Sequence, residues 1–366
     1  MTKSRSSEKE AFLRSPVRPF EATTPQSTDD LLARMEQISF QGRNLATARR
    51  IWERMIRDDV LIFFGMAGAL TAGGLRLTIA NLIHSRAIDC LISTGANLYH
   101  DLHETRGRHH YLGNPKANDA ALQAHHIDRV YDTYIDEDEF IDNDSWIAEF
   151  AANLDRPAYT SREFLYALGG YLWKQTGADG ILTAAYRQQL PIFCPAIADS
   201  SLGMGLSQAR HIDQNAGQVD VIGDIIESTN LVNRHAKTAS IVLGGGTPKN
   251  FINQASVQAA FYDSEIKGHQ YAVQLVTDVP HFGGASGSTL DEAQSWGKLS
   301  TNADQVTVHA DATLAFPLLT SAFLNSAAKP LKDRIAPRFT VDGRSLHIDG
   351  KLIPSDRFLT ANHKTP

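Results

Sequence analysis

Only two cysteines occur in the 366 residues, Cys90 and Cys194, each inside an apolar run. A disulfide framework needs more partners, and neither thiol stands in a metal-ligand spacing, so no stapled scaffold and no metal site are expected. The chain lacks an apolar stretch approaching the roughly 18 residues that a membrane span requires. It also lacks a charged-then-apolar leader. With a formal net charge of −6 it lacks the basic excess that draws proteins to nucleic acid, and its balance suits cationic ligands instead. The expectation is a cytoplasmic protein with no membrane and no nucleic-acid partner. What is present, 42% hydrophobic and 21% charged residues, is the composition of a packed globular chain.

Residues 1–26 are rich in Ser, Thr and Pro without apolar periodicity, so they cannot offset their ordering entropy and read as a mobile arm. A first helix begins near Ser27 and Thr28. A second, after a break at Gly42, carries Leu45, Ala48, Ile51, Trp52 and Met55 at three- and four-residue spacing. Short apolar runs then alternate with helical stretches: Val60–Phe64, Ile88–Ile92, Ile192–Cys194, Ser240–Leu243, Tyr271–Val276 and Val306–His309. Near-continuous apolar strands between helices imply an α/β fold, a Rossmann-like doubly wound sheet, mostly parallel and flanked by helices. One domain is expected over 27–330, with a C-terminal extension over 331–366 whose Asp342-Gly343 and Asp349-Gly350 pairs signal a hairpin. The acidic stretch Asp128–Asp144 reads as a solvated face.

In such sheets ligands bind beyond the carboxyl ends of the strands, and here every such end carries small or acidic residues. Gly244-Gly245-Gly246 suits close approach of a phosphate, although the GxGxxG spacing is absent and a tight turn serves equally well. Asp199, Asp278 and Asp311 are the types that hold ribose hydroxyls or cap helices. Lys298 follows Asp291-Glu292-Ala293-Gln294-Ser295-Trp296-Gly297. A lysine becomes a Schiff-base nucleophile only when neutral, and Trp296 supplies an apolar wall and a π-face for a cation, with Glu292 as an ammonium partner. The alternative is that Thr289 and Glu292 form a capping box, Trp296 anchors a core and Lys298 is a helix-end charge.

The stretch from about Leu31 to Phe323 resembles the deoxyhypusine synthases. The match runs through Ser93-Thr94-Gly95-Ala96-Asn97-Leu98, Pro195 to Gly203, Leu243 to Gly246, Ser295-Trp296-Gly297-Lys298, Val308 to Ala312 and Phe316-Pro317-Leu318-Leu319. This resemblance implies an NAD-dependent aminobutyltransferase, a homotetramer built from dimers, and active sites at the dimer interface. It implies Lys298 as catalytic lysine, Trp296 and Glu292 along a polyamine channel, and Ser286 in a loop beside the substrate. Thr71, Ala72, Ser93, Thr94, Gly95, Asp199, Gly245, Thr277, Asp278, Asp311 and Ala312 fall on NAD-contacting positions. Asp278 and Ala72 differ in type from the eukaryotic enzymes.

Other positions depart from the family pattern. Met204 replaces a substrate-binding Asp, Asn250 a His, Tyr99 and His100 two glutamates, and Ala285 an Asp. The implied reaction oxidises spermidine beside its secondary amine, holds the 4-aminobutyl group on Lys298 as an imine, and passes it to an acceptor amine. Asn250 or His281 orients the reacting nitrogen. The acceptor is a small diamine such as putrescine, giving homospermidine, or a protein lysine, giving deoxyhypusine; the lost carboxylates favour the diamine. Asp278, Asp101 and Glu104 are candidates to replace the missing charge. The alternative is a catalytically silent NAD-binding scaffold of the same fold.

Overall fold

The computed structural model describes residues 9–10, 12–22, 27–155, 158–235, 237–284, 288–335 and 337–360. Six parallel strands form the main sheet: β1 (Leu61–Met66), β2 (Cys90–Ser93), β3 (Ile192–Phe193), β4 (Thr238–Leu243), β5 (His269–Leu275) and β6 (Leu299–Val308). Their spatial order is β6-β5-β4-β1-β2-β3, so the winding reverses between β1 and β4. That is the strand order of a doubly wound dinucleotide-type sheet, whose ligand crevice opens at the reversal.

β1 shows why the inner strands are mostly apolar. Ile62, Phe64 and Met66 face one core, and Leu61 and Phe63 face the other. The first core is closed by α1 (Thr28–Met35), α2 (Phe40–Arg57), α3 (Arg76–His84), α4 (Gly95–Thr105), α5 (Glu137–Ala152), α6 (Ser161–Thr176), α7 (Ile181–Gln188), α8 (Ser201–Ile212) and, later in the chain, Ala312–Ser326. The second is closed by α9 (Val221–Arg234), α10 (Gly246–Tyr262) and the C-terminal strands. A short α11 (Leu290–Ser295) precedes β6, and α12 is the Ala312–Ser326 helix. Burial on both faces leaves no polar alternation within the strands.

Ser27 caps α1, its hydroxyl accepting from Asp30 N at 3.1 Å. The expected break at Gly42 is not there: α2 begins at Phe40, and Gly42 lies in its first turn. An added Cβ would approach Ile38 Cδ1 to 2.7 Å, so Gly42 serves close packing rather than termination. β6 starts seven residues earlier than its apolar run. It is the sheet edge, where Asn302, Asp304 and Gln305 reach solvent and hide the strand from a hydrophobicity count.

The expected hairpin is a three-stranded antiparallel sheet over Phe339–Asp342, Ser345–Ile348 and Lys351–Ile353. Asp349 and Gly350 both have positive φ, the requirement of a two-residue primed turn. Leu346, Ile348 and Ile353 are buried in the second core, so this extension packs as part of the main body. The acidic stretch is only partly a solvated face. Asp136 caps α5, Asp142 pairs with Arg106 and Arg108, and Asp144 accepts from the Tyr99 hydroxyl.

Candidate functional site

The strand reversal sets β1's exit, Ala67-Gly68, beside β4's exit, Gly244-Gly245-Gly246. Ala67 N donates to Leu243 O at 3.1 Å and Gly244 N to Leu275 O at 2.7 Å. A Cβ at Gly244 would lie 3.1 Å from that of Ala67, and Gly244 and Gly246 have φ of +78° and +59°. Both conditions call for glycine. Gly245 is the N-cap of α10, and no side chain caps this helix. A helix start without a side-chain cap behind a glycine turn, at the crevice of the sheet, is suited to a phosphate group.

Three further loops are knitted around this crevice. Thr94 Oγ1 donates to Gly68 O at 2.6 Å, and Asn97 Nδ2 donates to Ala67 O at 3.3 Å and to Thr94 Oγ1 at 2.9 Å. Thr71 N donates to Asn97 Oδ1 at 3.2 Å, and its hydroxyl to Asn97 O at 2.8 Å. Asn97, buried and outside the predicted set, therefore holds the β1 and β2 exits in register. A Cβ on Gly95 would lie 2.1 Å from Ser200 Oγ, which brings the β3 exit alongside. Thr71, Ala72, Ser93, Thr94, Gly95 and Gly245 thus converge on one edge. Asp199 lies exposed at the β3 exit.

On the other side of the reversal, Thr277 and Asp278 follow β5. Gly284 approaches so closely that its Cβ would stand 2.0 Å from Asp278 Oδ2. Asp311 caps α12, accepting from Thr313 N at 2.9 Å and Leu314 N at 3.2 Å, with Ala312 as the first helical residue. A cavity of about 90 Å³ opens here, lined by Lys249, Gln274, Asp278, Ser288, Thr289 and His309 among others. Lys249 was not among the predicted residues. It is 3% exposed, its Nζ donates to Ser288 O at 2.5 Å, and burial first and the Lys298 charge second push it down to about 8. A lysine in the first turn of the helix behind a glycine loop is the signal that marks it in the sequence.

The lysine segment is built as follows. Thr289 and Glu292 form a reciprocal capping box on α11, with Thr289 N donating to Glu292 Oε2 at 2.6 Å. The Thr289 hydrogen bonds hold the Glu292 carboxyl below its ordinary value. Trp296 is no core anchor: it is 66% exposed. Lys298 Nζ stands 5.4 Å from the Trp296 ring centroid, a cation–π distance. Lys298 O accepts from His269 N at 3.0 Å, so its main chain starts β6 at the amino edge of the sheet, opposite the glycine crevice. Its link to the cavity runs through Lys249, which feels the charges of Lys298 and Glu292.

Other predicted residues fall elsewhere. Asn250 is exposed and lines a different cavity, with Thr247, Phe251 and Gln254. His281 is exposed on the Pro280–Phe282 turn, and Ser286 lies outside the described residues. Asp101 and Glu104 are not spare charges. Asp101 is fully buried and accepts from Ile181 N and Leu182 N at 2.8 and 2.9 Å, capping α7, and burial raises it to about 6. Glu104 is held by Arg76 at 3.0 Å and His110 at 2.6 Å. Tyr99 and His100 are also interior groups, the latter 2.8 Å from His110.

Residues 30–323 match the family described as deoxyhypusine synthase. A probable deoxyhypusine synthase 2 from Methanosarcina acetivorans is 43% identical over 93% of this chain and 98% of its own length. The protein of that name from Methanosarcina mazei is 42% identical over 91% and 96%. A deoxyhypusine synthase-like protein from Coxiella burnetii is 38% identical over 78% of this chain and 83% of its own. A crystal structure from Entamoeba histolytica superposes with a TM-score of 0.57 at 18% identity, covering 84% of this chain and 96% of that one, a likeness of fold. With its six parallel strands wound in this order and a family match across most of its length, the chain belongs to the deoxyhypusine synthase family.

Proposed function

We propose that this protein transfers the 4-aminobutyl group of spermidine to an acceptor amine, with NAD as cofactor and Lys298 as covalent carrier. The observation that carries the reading is the Lys298–Trp296 pair: an amine over an exposed indole, in a chain that matches the family from residue 30 to 323. The residues at the sheet reversal fit a dinucleotide. Gly244, Gly245 and Gly246 leave room for its pyrophosphate at the α10 terminus, and Asp199, Asp278 and Asp311 stand at strand exits within the same edge. NAD supplies the hydride acceptor and, later, the hydride donor, so the transfer leaves no net redox change.

The chain's own part is to bind, orient and hold. Trp296 offers its face to a polyamine cation, and Asp278 offers a carboxylate at the cavity. Lys298 attacks the oxidised carbon, 1,3-diaminopropane departs, and the butyl group stays on the lysine until an acceptor amine displaces it. Trp296, Glu292 and Asn250 are too exposed to desolvate a substrate within one chain, which supports a site completed by a second subunit of a homotetramer. With Asp101 and Glu104 tied to α7, Arg76 and His110, Asp278 is the remaining replacement charge, and a small diamine is the favoured acceptor. Membership of the family alone also suits a silent scaffold, which retains NAD binding without turnover.

The test supplies purified protein with labelled spermidine, NAD, putrescine and a hypusine-type acceptor protein, and traps imines with borohydride. Release of 1,3-diaminopropane with label on Lys298 and in homospermidine is expected. Label on the protein lysine alone refutes the diamine acceptor, and equal trapping by Lys298→Ala removes Lys298 from its role.

A further inference from the structure

Lys249 is a buried cation that makes no ion pair among the described residues. Among the described residues no carboxylate lies within ion-pair distance of its Nζ, whose hydrogen bond goes to a neutral carbonyl, Ser288 O. The neighbouring undescribed residues Ala285, Ser286 and Gly287 carry no acid either. An ammonium held this way is destabilised relative to its neutral amine. The groups facing it are Asp278 and His309, which line the same cavity from the ends of β5 and β6, and Lys298 and Glu292 from the α11 segment. Glu292 is exposed and engaged by Thr289, and the positive charge of Lys298 opposes a second ammonium.

We propose that Lys249 is the base of this site: its uncharged amine takes the proton from the substrate's ammonium nitrogen before oxidation. The inference rests on the aminobutyl-transfer reading. In the step, an N–H bond of the substrate's secondary ammonium breaks and an N–H bond forms on Lys249, leaving a neutral substrate amine and a Lys249 ammonium. The proton returns to the departing amine, so Lys249 is restored in each cycle. The other cavity groups are poorer bases for this work. Asp278 accepts from Val279 N at 2.9 Å and as a carboxylate is a weak base toward an ammonium, and His309 is exposed. Lys249 is the buried one, and a base poised near neutrality is the efficient kind.

Lys249→Arg tests the role, because arginine keeps a cation and a donor for Ser288 O but does not release a proton. The expected result is a fall in kcat/KM of roughly 100-fold or more, with spermidine KM within about threefold of wild type and an unchanged melting temperature. Lys249→Cys alkylated with 2-bromoethylamine restores turnover, with the acidic limb of the pH profile displaced to lower pH. Independently of turnover, competitive labelling by acetic anhydride should give Lys249 a midpoint near 8, against about 10.4 for ordinary lysines. An arginine variant keeping more than about a third of wild-type kcat/KM, or an ordinary labelling midpoint, overturns the proposal. Wild type that releases no 1,3-diaminopropane defeats the transfer reading instead, and the labelling midpoint then decides on Lys249 by itself.

Discussion

Replacing Arg334 by Met should remove the clamp that ties the C-terminal segment to the sheet. The guanidinium is buried and donates to Asp89 Oδ1 at 3.0 Å and Oδ2 at 2.7 Å, and to the carbonyls of Arg86 and Val60. Asp89 Oδ2 also accepts from Ile62 N at 2.8 Å, so the pair joins the residues after α12 to the amino ends of β1 and β2. Methionine fills similar volume but leaves a buried carboxylate without its counter-ion, and breaking one side of such a pair costs about 3–5 kcal/mol. Adding Asp89→Asn keeps an acceptor for Ile62 N and removes the stranded charge, so the double variant should recover about 2 kcal/mol of the loss. Urea unfolding followed by circular dichroism reads this as a lower midpoint at unchanged slope for the single variant, partly restored in the double. A single-variant loss below about 1 kcal/mol, or a double variant no more stable than the single, would refute the argument that the pair is mutually dependent.

Other consequences are equally direct. Burial lowers His100 and His103 to about 4, so both are neutral in the fold and take up protons on unfolding below their usual 6.5. Their contribution is complete above pH 6.5 and is lost as pH falls toward 4. His100→Gln should therefore flatten the fall of melting temperature over that window, by up to about 1.4 kcal/mol per pH unit, and an unaltered slope relative to wild type would contradict this. Asp101, raised by burial, runs in the opposite sense and is common to both proteins. Gly284→Ala forces Asp278 out of place and should weaken NAD binding about tenfold with little change in melting temperature; isothermal titration showing wild-type affinity would dismiss Asp278 as a contact. Deleting residues 1–22 should shift the melting temperature by less than about 2 °C, because residues 12–22 are exposed and touch the body chiefly through Arg18 N to Gln37 O and Arg34 to Glu21 O. A drop of many degrees would show that the arm packs.

Local chemistry alone made much of the architecture legible. Apolar runs ending in Gly, Ser, Thr or Asp located five of the six sheet strands closely, because burial on both faces keeps polar residues few in them. The edge strand β6 was visible only at its apolar end, since a strand with one open side tolerates Asn302, Asp304 and Gln305. The glycine turn behind β4 and the capping box at Thr289 were likewise readable, each being defined by neighbours within a few residues.

The tertiary structure decided what each charged group is available to do. Asp101, Glu104, Tyr99 and His100 stand next to the Ser93-Thr94-Gly95 exit in sequence, yet α4 turns them inward to Ile181, Arg76, Asp144 and His110. Lys249 and Ser288 are distant in sequence, and only the packing of α10 against the α11 segment encloses that amine with no ion pair among the described residues. The sequence by itself determined five of the six main-sheet strands, the glycine turn and the family, which depend on residue type and short spacing. Burial and charge pairing depend on which elements meet across the core, and so they were settled only by the fold.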